Sequence, residues 1–284
     1  MTALAAFSPE SLEDALVLRS AHPDALVIAG GTDTMVAVNM HGLRPRGVLD
    51  LSRIDELRCW TSGDDGSICV GAGVTFATLA AEPNVFGPLA QAARLVGSPQ
   101  IRNRATLGGN VGTASPAGDG IAVLAAFDAE IELARTGGSR TVPWHDFYLG
   151  PKRTALEPDE LIVSLRWRHP AGPGAFAKVG TRNAMVISVA GVCLQLDERA
   201  HAVRLSLGSV APTVLRAWRA EELAAAELDW DAPDHDVVEW FGAHAAAAAR
   251  PIDDVRGSAV YRRHAVSVLA RRLLHQTLTE RSAA

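Results

Sequence analysis

The sequence predicts an α+β fold in two parts, and three observations predict it. An apolar run, Ala25–Ile28, leads through Gly30-Gly31 into a helical stripe. Proline and glycine punctuate residues 150–175, at Gly150-Pro151, Glu157-Pro158, His169-Pro170 and Gly172-Pro173-Gly174. Beyond that stretch, strand-like runs come first and helical ones follow. That order describes an α+β domain with its helices on one sheet face. The boundary falls near Pro170, giving parts 1–170 and 171–284.

The elements follow in order. Ser8-Pro9-Glu10 starts a helix with a hydroxyl cap, a proline at the first helical position and an acid at the positive end. Leu12, Ala15, Leu16 and Leu18 carry it to about Ser20. Ala25–Ile28 suits a buried strand. Thr32 or Asp33 caps a helix bearing Met35, Val36 and Val38, and Gly42 ends it. Strands are expected at Val48–Leu51 and Ile68–Val70, and helices at Phe76–Ala81 and Gly87–Val96. Asp119 could cap a helix through Phe127, with a strand over Ala129–Ala134. In the second part the strands are Ala175–Val179, Met185–Leu196 and Ala202–Ser209. The helices there are Arg216–Leu228, Val237–Ala249 and Ser258–His275.

Composition excludes several functions. The chain has 284 residues, is 48% hydrophobic and can bury a real core. Its 27 basic and 32 acidic residues are interspersed, for a formal net charge of −5. That is no electrostatic footprint for nucleic acid. No apolar run reaches the ~18–20 residues of a membrane span. The N-terminus lacks a basic segment and a long apolar core, so a cytoplasmic location is expected rather than export. Cys59, Cys69 and Cys193 have no metal-ligand spacing and are expected to be small buried thiols. Three thiols cannot ligate an iron–sulfur cluster, which takes about four. The nine histidines form no compact metal pattern, and no nucleophile elbow or Walker sequence is present. Gly71-Ala72-Gly73 lacks the third glycine of a dinucleotide fingerprint. No catalytic side chain and no metal site is expected.

What remains is a pair of glycine segments. The first is Ala29-Gly30-Gly31-Thr32-Asp33-Thr34; the second runs from Thr106-Leu107-Gly108-Gly109-Asn110 to Ser115-Pro116-Ala117-Gly118-Asp119. Either alone is ordinary turn chemistry. Either could instead bring backbone amides close to a phosphate. Together they suit a long diphosphate ligand held at two places. Asp119 is a helix cap on one reading and a partner for a ribose or adenine edge on the other.

Gln100–Asn110, continuing through Ala114-Ser115-Pro116 to Asp119, resembles the flavin segment of molybdenum hydroxylases of the xanthine dehydrogenase and carbon monoxide dehydrogenase type. Ala29–Asp33 resembles the other flavin loop of their FAD-binding subunit. Gly71–Thr75, Asp146–Gly150, Val210–Thr213 and the tail Asp254–Arg262 also recur in that family, so the likeness covers the whole chain. Thr34 stands where leucine is common, Val214 where proline is, and Val260 where an acid is.

The resemblance implies an FAD-binding domain of the vanillyl-alcohol-oxidase-like class, in two subdomains parting near residues 55–60. A smaller α+β domain with a three-stranded sheet and helices would follow. It implies that amides of Gly30, Gly31, Thr32, Asp33 and Thr34 hold the FAD pyrophosphate, with Ala29 beside them at the cofactor. Thr106, Gly109 and Asn110 would form a second wall, with Thr113 and Ser115 beside them. Asp119 would bind the adenosine part, Ile162 would touch the cofactor and Lys178 would reach the flavin or its phosphates. It implies partners as well: a molybdenum-cofactor large subunit, a 2Fe–2S small subunit that passes electrons to FAD, and an external acceptor. The assembly would be a heterotrimer or a dimer of heterotrimers. A non-catalytic assembly subunit and a free-standing flavin reductase or oxidase are the alternatives.

Overall fold

A computed structural model describes residues 5–283. The chain begins as two strand–helix–strand crossovers. Strands Ala5–Phe7, Gly47–Asp50 and Leu26–Ile28 form a parallel sheet with Gly47–Asp50 in the middle. Helices Leu12–Ala21 and Thr34–Met40 carry the crossovers. The first helix is capped by Ser11, whose hydroxyl accepts from the Asp14 amide at 3.1 Å; Ser8 lies ahead of the helix. Ala15, Leu49, Ile54 and Leu57 pack with Leu161 and Val163 in a small core of their own.

A five-stranded sheet follows, in the order Trp60–Ser62, Ser67–Gly71, Leu161–Arg168, Glu130–Arg135, Gly138–Pro143. All its pairings are antiparallel. Helices Phe76–Ala81, Pro88–Leu95, Leu107–Thr113 and Asp119–Ala126 join it in the largest core, through Phe76, Leu79, Leu89, Leu107 and Val123. The helix starting at Asp119 is apolar all round and buried throughout. A helix of that kind must be covered on every side.

The third sheet explains the cover. Its strands are Gly174–Val179, Ala190–Asp197, Ala202–Gly208 and the two-residue Leu215–Arg216, antiparallel in that order. Three long strands carry this sheet, and the last adds a short edge where a helix start was expected. Alternate residues of a strand face opposite sides. Val192, Leu194 and Leu196 meet Phe241, Val266 and Leu274 from helices His235–Ala248 and Ala259–Ser282. On the other side Cys193 and Phe176 join the largest core. Helices therefore cover both faces of this sheet, not one. Ser206 donates its hydroxyl to the Ala122 carbonyl across that seam.

Cysteine environments differ from the expectation. Cys193 is buried, Cys69 half-buried and Cys59 exposed. Burial pushes the Cys193 thiol well above the ordinary range, against the pull of Arg216. Cys59 lies between a 3₁₀ turn and an edge strand, where no core covers it.

The tail Asp254–Arg262 turns tightly into the last helix. Ser258 caps that helix by accepting from the Tyr261 amide at 3.2 Å. Asp254 accepts from the Arg256 amide at 2.8 Å and from the Arg262 guanidinium at 2.6 Å. The Arg256 amide, and then Arg262 and the Arg256 side chain, hold its carboxyl down at about 2. That is below the ~3.9 of an unfolded aspartate. Its stabilisation is complete above the unfolded value and is lost as pH falls through the folded one. Denaturant titrations of wild type and Asp254→Asn should therefore show a constant stability gap above about pH 5 that closes toward pH 2.

Candidate functional site

The two glycine segments meet at one cavity of about 590 Å³. Ala29, Gly30, Gly31, Thr32, Asp33 and Thr34 line one side. Thr106, Gly109, Asn110, Thr113, Ser115, Asp119 and Ile162 line the other. Lys178 is not among the lining residues and sits behind them.

The first segment leaves strand Leu26–Ile28 and enters helix Thr34–Met40. Gly30 is there because nothing larger fits. A Cβ on it would lie 2.0 Å from the Arg104 carbonyl oxygen and 2.9 Å from the Ala105 Cα. Gly31 has φ +75°, which a side chain rarely adopts. The amides of Gly30, Gly31, Thr32, Asp33 and Thr34 donate no hydrogen bond to any described residue. Asp33 precedes the helix but makes no side-chain cap. Its carboxylate instead accepts from the Thr113 hydroxyl at 3.3 Å, joining the two segments directly.

The second segment is only partly a loop. Leu107–Thr113 is helical, and Thr106 caps it by accepting from the Gly109 amide at 3.0 Å. The amides of Leu107 and Gly108 donate to Val74 and Ala72, and that of Asn110 to Thr106. Gly108 is a glycine because a Cβ would lie 2.5 Å from the Ala72 Cβ. With the amides of Leu107–Asn110 spent, this helix start offers a close wall rather than a second anion cradle. Thr106→Ala removes the cap and should cost about 1 kcal/mol in denaturant unfolding.

Asp119 is the first residue of its helix, and Gly118 holds the cap position. The carboxylate points away from the helix end. Lys178 Nζ donates to one of its oxygens at 2.5 Å, and the Ser188 hydroxyl to the other at 2.5 Å. Burial pushes the Asp119 carboxyl above its ordinary value, while Lys178 and Ser188 oppose that rise. Lys178 also donates to the carbonyls of Leu95 and Val186. Its ammonium is thus held by three protein oxygens and reaches the cavity only through Asp119.

The comparisons with known proteins agree along the whole length. Residues 2–167 match the family described as the FAD binding domain in molybdopterin dehydrogenase. Residues 175–277 match the CO dehydrogenase flavoprotein C-terminal domain. The chain belongs to this family. It is 30% identical, over 94% of each chain, to the putative xanthine dehydrogenase FAD-binding subunit of Escherichia coli K12. It is 34% identical, over 94% of each chain, to the nicotine 6-hydroxylase medium subunit of Paenarthrobacter nicotinovorans. Among solved structures, carbon monoxide dehydrogenase from Hydrogenophaga pseudoflava superposes with a TM-score of 0.88 at 29% identity, covering 97% of each chain. This chain is an FAD-binding medium subunit of the molybdenum hydroxylase family, an oxidoreductase family. No helix among the described residues is long and apolar enough to cross a membrane.

The cavity fits FAD on three counts. Five successive free amides suit a pyrophosphate. The Gly30 position lets backbone meet backbone where a side chain would fill the cradle. The polar residues Asn110, Thr113 and Ser115 line the same wall, as a ligand rich in hydroxyls requires.

Sequence reasoning missed other walls. Ala72 and Gly73 line the cavity although their glycine pattern is no dinucleotide fingerprint. Gly71 and Gly73 are needed against the Leu57 carbonyl, where added Cβ atoms would fall at 2.4 and 2.9 Å. Val186 and Ile187 line it too. They lie in a run expected to be strand from Met185, but Met185 has φ +51° and the strand begins only at Ala190. Gly180 and Asn183 were the available signal for a break in the strand there.

Proposed function

We propose that this chain is the electron-transfer flavoprotein of a heteromeric molybdenum hydroxylase, with FAD held in the cavity between Ala29–Thr34 and Thr106–Asp119. The amides of Gly30–Thr34 bind the pyrophosphate. Thr106, Gly109, Asn110, Thr113 and Ser115 form the opposite wall. Ile162 contacts the cofactor, and Asp119 binds it while Lys178 neutralises and aims Asp119. When bound, FAD supplies two-electron chemistry to an acceptor and one-electron chemistry to iron–sulfur clusters. The protein's own residues bind it, orient it and exclude water, and no side chain of this chain acts as acid, base or nucleophile.

The single observation that carries this reading is the row of free amides beside the Gly30 backbone contact. The partners follow from what the chain lacks. Its three cysteines cannot hold a cluster, so electrons arrive from a 2Fe–2S small subunit. The relatives named as medium subunits and medium chains support a larger molybdenum-cofactor chain alongside it. The same reading divides the chain near Pro170, with the flavin half parting again near residues 55–60. It places the complex in the cytoplasm, where the three unpaired thiols are stable.

Affinity purification of the tagged chain from its native host tests this. Molybdenum, iron and flavin should co-purify in fixed ratio with two further chains. A chain that purifies alone and reduces a dye with NADH unaided would be a free-standing reductase instead.

A further inference from the structure

The tail Asp254–Arg262 has no place in the site described so far, and Ser188 enters it only as a partner of Asp119, yet the two are connected. Residues 180–189 link strands Gly174–Val179 and Ala190–Asp197. Val186 and Ile187 from this link line the cofactor cavity. Ile187 is 61% exposed, so packing alone does not hold that wall. Hydrogen bonds do, and they run in an unbroken series into the last helix.

Ser188 is 2% exposed and ties the link to Asp119 through its hydroxyl, at 2.5 Å. Its own carbonyl accepts from the Ser209 hydroxyl at 2.8 Å. Ser209, at φ +64°, offers its carbonyl to Arg262 Nη1 at 2.8 Å. The same nitrogen donates to the Val189 carbonyl at 2.7 Å, next to Ser188. Arg262 Nη2 is anchored on Asp254 at 2.6 Å. Arg262 is 2% exposed, although it lies in the first turn of a long helix with solvent on its other side. A buried guanidinium is retained where its planar fork meets several acceptors at fixed angles, which an ammonium cannot reproduce.

We propose that Ser188 and Arg262 are positioning residues for the cofactor site: they hold the Val186–Ile187 wall in place, so the last helix sets the shape of the flavin cavity. Neither touches the cavity, and each acts through the link. This inference rests on the assignment of FAD to that cavity. It also gives the tail motif a role that its distance from the glycine segments conceals.

Two variants and two readouts test it. Ser188→Ala removes only the hydroxyl on Asp119. Arg262→Lys keeps the charge and loses the fork. In the cofactor-free chain, amide hydrogen exchange over residues 180–189 should accelerate about tenfold in both variants, the scale of one lost charge-assisted hydrogen bond. Exchange in strand Glu130–Arg135 should stay unchanged. The FAD dissociation constant should rise about tenfold, and the visible circular dichroism of bound flavin should change sign or amplitude as its wall loosens. Unchanged exchange over 180–189 in Ser188→Ala would overturn the proposal. So would acceleration spread evenly over the molecule in both variants. If wild type binds no FAD while exchange at 180–189 still rises, the cofactor assignment fails and the linkage stands. If wild type binds FAD and Ser188→Ala leaves affinity and dichroism unchanged, the proposal fails and the cofactor assignment stands.

Discussion

Gly30→Ala is expected to lower FAD affinity by about 100-fold and stability by about 2 kcal/mol. The added methyl would sit 2.0 Å from the Arg104 carbonyl oxygen and 2.6 Å from its carbon. Both are backbone atoms, so no side chain can swing aside. The Arg104 backbone is itself tied down, because the neighbouring Ala105 carbonyl accepts from the Phe76 amide at 2.9 Å. Relief must come from moving Ala29–Thr34 away from Thr106, which opens the cradle. Gly31→Ala makes the useful contrast. Its Cβ has room, 3.5 Å from the nearest Ile28 atom, but φ is +75°. The cost there is conformational, about 1 kcal/mol, and the cradle keeps its spacing. Fluorescence titration with FAD, alongside urea unfolding, should therefore rank Gly30→Ala well below Gly31→Ala.

Lys178→Met is the second large effect, a loss of about 3 kcal/mol at neutral pH. The pair it breaks is almost wholly buried on both sides, at 7% exposure each. Removing the cation leaves Asp119 in an apolar site with only the Ser188 hydroxyl. Burial already pushes that carboxyl above its ordinary value, and without Lys178 nothing but Ser188 opposes it. A folded value above the unfolded ~3.9 means that the native state holds the proton more tightly. Stability is then fully present below the unfolded value and is lost as pH rises through the folded one. Urea unfolding of Lys178→Met should show it more stable at pH 5 than at pH 8, with a steeper decline across that range than wild type.

Local chemistry was readable wherever neighbours in sequence decide the outcome. The last helix starts at Ser258, which caps it where the helix was expected to begin, and Phe76–Ala81 is a helix, as spacing indicates. The first cap lies at Ser11 rather than Ser8: both serines precede acidic residues, and the Leu12 amide, next to Ser11, donates to Glu56 44 residues away, a contact that sequence does not show. Gly108-Gly109 looked like a loop because glycine disfavours helices. The helix forms there regardless, since its first turn must pass against Ala72, and only glycine allows that approach. Asp119 looked like a cap until Lys178, 59 residues later, took its carboxylate. The strand Leu161–Arg168 lay unread among prolines, although it is the centre of the five-stranded sheet. The covered second face of the third sheet was equally invisible, because its cover comes from Asp119–Ala126 in the other half. The glycine loops, the family and the cofactor were legible because they depend on short motifs. The support behind them depends on contacts across the chain.

The most direct test of the account is an amide-resolved titration of the isotope-labelled protein with FAD. Shifts at one equivalent should be largest at Gly30, Gly31, Thr32, Asp33 and Thr34, whose amides are free. Smaller shifts should appear over Thr106–Asp119 and at Val186 and Ile187. Shifts clustered elsewhere, for instance in the cleft of Trp144, Trp218 and His244, with Gly30–Thr34 unmoved, would contradict it.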